Sequence, residues 1–148
     1  MLSALLDARP QPIRRLAQQT DHAALDEARV SETDLHIQVA GFLHSTLGPD
    51  CLWTSIGHGG FKLPIKVAMR LKAMGIRPGI PDIAFFPRNR PAHFIELKMP
   101  GKYPEPHQRE LHAILRGLGS PVSVCRTVDE VEGTLRAWCI PMRGRIAA

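Results

Sequence analysis

The stretch PDIAFFPRNRPAHFIELK, residues 81–98, constrains the fold more than any other part of the chain. Two short apolar runs, DIAFF and AHFIELK, flank the linker PRNRP, the pattern of two strands turned back on one another. Asp82 opens the first run, and Glu96 and Lys98 interrupt the second where it is most apolar. Side chains alternate faces along a strand, so Glu96 and Lys98 share one face while Ile95 and Leu97 point into the opposite, buried layer. A hairpin sets Asp82 near the Glu96 end of the second strand. Two carboxylates and one ammonium then share a small region.

Two carboxylates in close contact repel, and one of them takes up a proton unless a cation intervenes. A divalent cation coordinating Asp82 and Glu96 removes the conflict. Hard oxygen donors, with no cysteine pair or clustered histidine, select Mg²⁺ or Mn²⁺ over Zn²⁺. Such a cation lowers the pKa of water and polarises a phosphoryl oxygen. Lys98 is then placed to orient that water or to balance charge in the transition state. This equipment suits phosphodiester hydrolysis. The alternative is structural: an ion pair between Glu96 and Lys98 along one strand face, with Asp82 as a turn residue.

The charge balance favours a polyanionic partner. Lys and Arg number 19 against 14 Asp and Glu, a net charge of +5 with neutral His, and DNA is the expected ligand. Cys51, Cys125 and Cys139 form no close pair, so neither a disulfide framework nor a zinc ribbon is indicated, and buried thiols in a reducing compartment are expected. MLSALLDARPQPIRRLAQQ lacks the long apolar core of a signal peptide, and no apolar run approaches a membrane span. A cytoplasmic protein without membrane contact is the expectation.

The remaining pattern reads as helix, strand, helix, strand, strand, helix, strand, helix. SETDLHIQVAGFLHSTLG carries a Ser31/Asp34 capping box and helical spacing of Leu35, Val39, Phe42, Leu43 and Leu47. CLWTSI is a short strand, GHGGFKLP a glycine-rich loop, and IKVAMRLKAMG a second helix closed by Gly75. YPEPHQRELHAILRGLG is a third helix with an apolar stripe of Leu111, Ile114, Leu115 and Leu118. PVSVCRT is a strand, and VDEVEGTLRAW a closing helix. The sum is an α/β layered domain with a small mixed sheet flanked by helices. Residues 1–30 form an N-terminal extension, expected to be helical over 13–28 or to supply dimer contacts; 31–138 form the domain, and 139–148 a C-terminal tail.

PD, a strand, a turn and IELK match the signature of PD-(D/E)xK nucleases. The ordered series SETDLH, GHGG, AMRLKAMGIRPGIPD, FIELK, PHQRELHAILRGLG and PVSVCR resembles the VRR-nuclease family within them. The tripeptide Val-Arg-Arg of the family's name is not found here. The resemblance implies a restriction-endonuclease-like core. It implies Asp82 and Glu96 as main metal ligands, with the Leu97 carbonyl as a third oxygen and Glu32 completing the site from its helix. It implies Lys98 as catalytic lysine and Gln108 as a glutamine near the active site. Asp34 competes with Glu32 for the helix role, although capping accounts for it.

Lys62, Lys66, Arg70, Lys72 and Arg77 form a cationic run around the second helix. They are either a phosphate track beside the site or an ordinary solvated face. GHGG lets backbone approach a phosphate or is a flexible loop. His36, His44, His107 and His112 read as surface or site-edge histidines. The expected function is a Mg²⁺- or Mn²⁺-dependent DNA endonuclease, selective for branched DNA or four-way junctions and acting as a homodimer. The alternative is a non-catalytic DNA-binding module of the same fold within a larger assembly.

Overall fold

The computed structural model describes residues 31–57 and 63–143. The helix expected over 13–28, the end of the C-terminal tail, Lys62 and most of GHGG lie outside them. Eight elements follow in the expected order: α1 (Glu32–Thr46), β1 (Cys51–Ser55), α2 (Ile65–Ala73), β2 (Ile83–Pro87), β3 (His93–Leu97), α3 (Pro106–Gly117), β4 (Val122–Cys125) and α4 (Val128–Ala137). The strands lie side by side as β1-β2-β3-β4. β1 and β2 pair antiparallel, as do β2 and β3, while β3 and β4 pair parallel. The expected small mixed sheet is therefore present.

Capping starts α1 where the sequence indicates. Ser31 Oγ accepts the Asp34 N–H at 3.1 Å, and Asp34 Oδ2 accepts the Ser31 N–H at 2.8 Å. Leu35, Val39 and Leu43 turn one face of α1 inward. They meet Val131 and Leu135 of α4 over Ile83, Phe85, Ile95 and Leu97 of the central strands. The opposite sheet face carries a smaller apolar cluster of Ala84, Phe94 and Val122, against which Leu115 of α3 packs. With both faces covered, every residue of β3 is buried, Glu96 included.

Arg90 ties the hairpin to the end of α4. Its guanidinium donates to the carbonyls of Trp138 at 2.6 Å and Cys139 at 3.3 Å. Those carbonyls lie at a helix C-terminus, where a cation is favoured. The PRNRP turn thus does more than reverse the chain.

Besides Cys139, which is exposed where a buried thiol was expected, two sequence expectations are corrected. First, α3 begins at Pro106, capped by Glu105, and its inward face is not the expected stripe. Gln108, Leu111, His112 and Leu115 fall on one side of a 3.6-residue helix. Ile114 and Leu118 lie off that side and are 47% and 77% exposed. Second, His112 is not a surface histidine: it is 2% exposed. Helix α2 also buries none of its residues, so its apolar positions contribute little to the core.

Ile95→Ala should cost about 2–5 kcal/mol, because it opens a cavity in the two-helix core. Leu118→Ala should stay within about 0.5 kcal/mol. Urea unfolding of both variants checks the assignment; equal losses would restore the stripe.

Candidate active site

The site is built where β2 begins and β3 ends. The antiparallel register pairs Ile83 with Ile95, which carries Asp82 opposite Glu96. Asp82 is held from both sides. Its carbonyl accepts the N–H groups of Ile56 at 2.8 Å and Gly57 at 3.2 Å. Its Oδ2 accepts the Leu97 N–H at 2.7 Å in a buried setting. The Leu97 side chain sits in the core, so only its backbone serves the site.

Glu96 points to the other sheet face. Its Oε1 accepts from Lys98 Nζ at 2.8 Å and from Gln108 Nε2 at 2.6 Å. Lys98 Nζ also stands 3.7 Å from Glu32 Oε1, so one ammonium bridges the helix carboxylate and the strand carboxylate. Asp34, by contrast, is engaged in the Ser31 cap, whose hydrogen bonds hold its carboxyl below the usual range. Glu32, Asp82, Glu96, Lys98 and Gln108 all line one cleft of about 350 Å³. Lys72 and Arg77 line it as well. Lys66 and Arg70 are exposed on α2 and do not reach the lining. The cationic run is thereby split between cleft wall and outer surface.

Burial pushes the Asp82 carboxyl up from 3.8 to about 7, aided by the charges of Glu96 and Glu32 and opposed by the Leu97 N–H and Lys98. Lys98 shows the opposite balance. Burial works against its charge, but the Glu96 hydrogen bond and the surrounding carboxylates outweigh that and hold its pKa above 10.5. The lysine is a permanent cation, whereas Asp82 ionises near neutrality.

Two glycines permit this closeness. A Cβ on Gly57 would lie 2.6 Å from Asp82 Oδ1 and 2.8 Å from its Cα. The first glycine of GHGG therefore lets backbone approach a carboxylate. Gly79 has φ +88°, and a Cβ there would lie 2.9 Å from the His107 carbonyl. It packs the lead-in to Asp82 against the start of α3. Behind Glu96 stands His112, with Nε2 3.6 Å from Glu96 Oε2. The sequence placed it only among surface or site-edge histidines, although its position one helical turn after Gln108 was a signal for more.

A VRR-NUC domain family model matches residues 17–129. The chain belongs to the VRR-NUC family. A solved structure described as a VRR_NUC domain protein is similar to it, with a TM-score of 0.58 and 17% identity over 76% of this chain and 92% of that one. At that identity the likeness speaks for the fold. No curated protein matches the chain. This VRR-NUC domain is thus a DNA-processing domain of nuclease fold. Among the described residues, no three His, Cys, Asp or Glu side chains form a ready metal-binding group, and no helix is long and apolar enough to cross a membrane.

The raised Asp82 pKa predicts a signed pH effect. Below about pH 4 the carboxyl is protonated in both folded and unfolded chains, and its contribution is fully present. From about 4 to about 7 the unfolded chain ionises first, so stability falls as pH rises; above 7 the effect is constant. The difference in unfolding free energy between the metal-free wild type and Asp82→Asn should shift against the wild type by on the order of 4 kcal/mol across that window. A pH-independent difference would remove the shift.

Proposed function

We propose that this VRR-NUC domain is a Mg²⁺- or Mn²⁺-dependent endodeoxyribonuclease that hydrolyses phosphodiester bonds. The observation that carries the reading is the Asp82–Glu96 pair beside a charged Lys98, in a cleft also lined by Lys72 and Arg77. The residues fit a divalent cation. Glu32, Asp82 and Glu96 bring three carboxyl groups into one cleft, and the Asp82 carboxyl is loaded by its neighbours' negative charge. Both conditions are relieved by a hard cation with oxygen donors.

Asp82 and Glu96 would hold the cation, with the Leu97 carbonyl and Glu32 as further oxygen donors. When bound, the cation supplies Lewis-acid polarisation of the phosphoryl oxygen and a water nucleophile active near neutral pH. Lys98 keeps its proton and faces the negative charge that grows on the phosphoryl oxygens as water attacks in line with the departing oxygen. Gln108 orients Glu96 through the 2.6 Å hydrogen bond. Lys72 and Arg77 bind the phosphates of the strand being cut, Lys66 and Arg70 extend that attraction outward, and Lys62 adds to the same cationic run in the sequence.

Glu96→Gln should abolish Mn²⁺ binding and cleavage while circular dichroism stays unchanged. Lys98→Ala should lower kcat by at least about 100-fold with DNA affinity nearly intact, because one phosphate contact is a small part of the interface. Cleavage by the wild type in excess EDTA would refute the metal reading. DNA binding without cleavage under any divalent cation would favour a non-catalytic module.

We infer the substrate and working unit from the one carboxylate cluster that lines a cleft among the described residues. One site makes one cut, and resolving a four-way junction needs two. A twofold homodimer supplies a symmetric pair of sites for a branched DNA of like symmetry. Light scattering should give twice the chain mass, and junction cleavage should give paired nicks related by symmetry. A monomer nicking single positions would remove junction selectivity and leave the hydrolytic chemistry standing.

A further inference from the structure

Helix α3 sends two polar side chains toward Glu96. Gln108 and His112 are one turn apart and lie on the sheet-facing side with Leu111 and Leu115. The Gln108 amide orientation is fixed by its own bonds: Oε1 accepts the Glu105 N–H at 2.8 Å, which leaves Nε2 to donate to Glu96 Oε1. Glu96 Oε2 faces His112 Nε2 at 3.6 Å. Both atoms are buried, and neither has a hydrogen-bond partner. A buried carboxylate oxygen and a buried ring nitrogen left unpaired are costly. The separation exceeds a hydrogen bond, and a movement of a few tenths of an ångström closes it. An apolar residue would suit the surrounding packing without this cost, so the polar pair calls for an explanation.

We propose that His112 is a positioning residue for Glu96, its Nε2–H holding the second carboxylate oxygen while Gln108 holds the first. The terminal torsion of a glutamate is broad and poorly restrained. With a donor on each oxygen, contributed by one rigid helix, the carboxylate plane has a single orientation. The donors that orient a ligand commonly set its affinity for a cation. The inference rests on the reading of Glu96 as a cation ligand. It adds that the orientation of this ligand comes from α3 rather than from the sheet that carries it.

Isothermal titration of the full chain with Mn²⁺, without DNA, tests this with two substitutions. His112→Phe fills the space but donates nothing. Its Mn²⁺ affinity should fall about 10–100-fold, the range for lost outer partners, with unchanged circular dichroism and unchanged KM for DNA. His112→Gln places an amide N–H near the position of Nε2 and should retain affinity within about threefold. A packing role gives the reverse order, with His112→Phe the milder change, and that result overturns the proposal. Nitrogen-15 spectra of the wild-type histidine rings, metal-free at pH 8, provide a reading that needs no substitution. The Nε2–H tautomer is expected, and a bare Nε2 overturns the proposal. A wild type that binds no Mn²⁺ refutes the metal site itself, whereas equal binding by all three proteins refutes only the role of His112.

Discussion

The 2.7 Å hydrogen bond from the Leu97 N–H to Asp82 Oδ2 is the contact on which the site's geometry depends. It lies just past the paired residues of β2 and β3 and sets the first carboxylate against the backbone beside the second. The register that makes it also fixes which strand residues face which layer. A slip by one residue would send Glu96 into the α1/α4 core and Ile95 into the cleft. The large apolar cluster on the Ile95 and Leu97 side therefore protects the polar arrangement on the Glu96 side. Most of the core's apolar mass lies on the face away from the cleft, which leaves the site face free to carry charge.

That division explains how a fully buried glutamate is tolerated. Glu96 is 0% exposed, a setting in which an unpaired charge would be prohibitive. Lys98 meets the same oxygen that Gln108 meets and is itself only 12% exposed at its side chain. Asp82, with no ammonium in direct contact among its described partners, responds by raising its pKa to about 7. The two acids thus answer the same crowding differently, one through an ion pair and the other through its proton.

Much of this was legible in the sequence because it is local. The two-residue spacing of Glu96 and Lys98 put them on one face, the short turn returned Asp82 beside them, and the Ser31/Asp34 box left Glu32 free to face the cleft. What was missed depends on helix rotation, which apolar spacing alone determines poorly. In α3, Leu111, Ile114, Leu115 and Leu118 form a plausible stripe. The side pressed to the sheet instead includes Gln108 and His112, because the polar end of β3 must be met by polar partners. Counting apolar residues favoured one rotation, and satisfying Glu96 favours another. Helix α2 shows the reverse limit. Its pattern is amphipathic, yet none of its residues is buried, since no strand or helix among the described residues closes tightly over it.

The position of α2 bears on how charge is distributed around the cleft. Glu32, Asp82 and Glu96 line it with three acidic groups against one lysine of their own cluster, and Lys72 and Arg77 line it as well. On the proposed reading, a phosphodiester drawn toward those two cations would be brought up against carboxylates that repel it. The repulsion falls when Asp82 carries its proton or when a cation neutralises the acidic group, and only the second leaves both carboxylates available as donors. With the Asp82 pKa near 7, protons would compete with the proposed divalent ion for the same oxygens close to neutral pH. Placing Lys72 on a separate, thinly packed helix and Arg77 in the segment that follows it keeps them from pairing permanently with the acids. A lysine or arginine rigidly seated on the sheet beside Lys98 would saturate Glu32 or Asp82 and close the site to a cation. The weak burial of α2 is therefore compatible with the chemistry: it holds positive charge at the cleft without joining the acidic cluster.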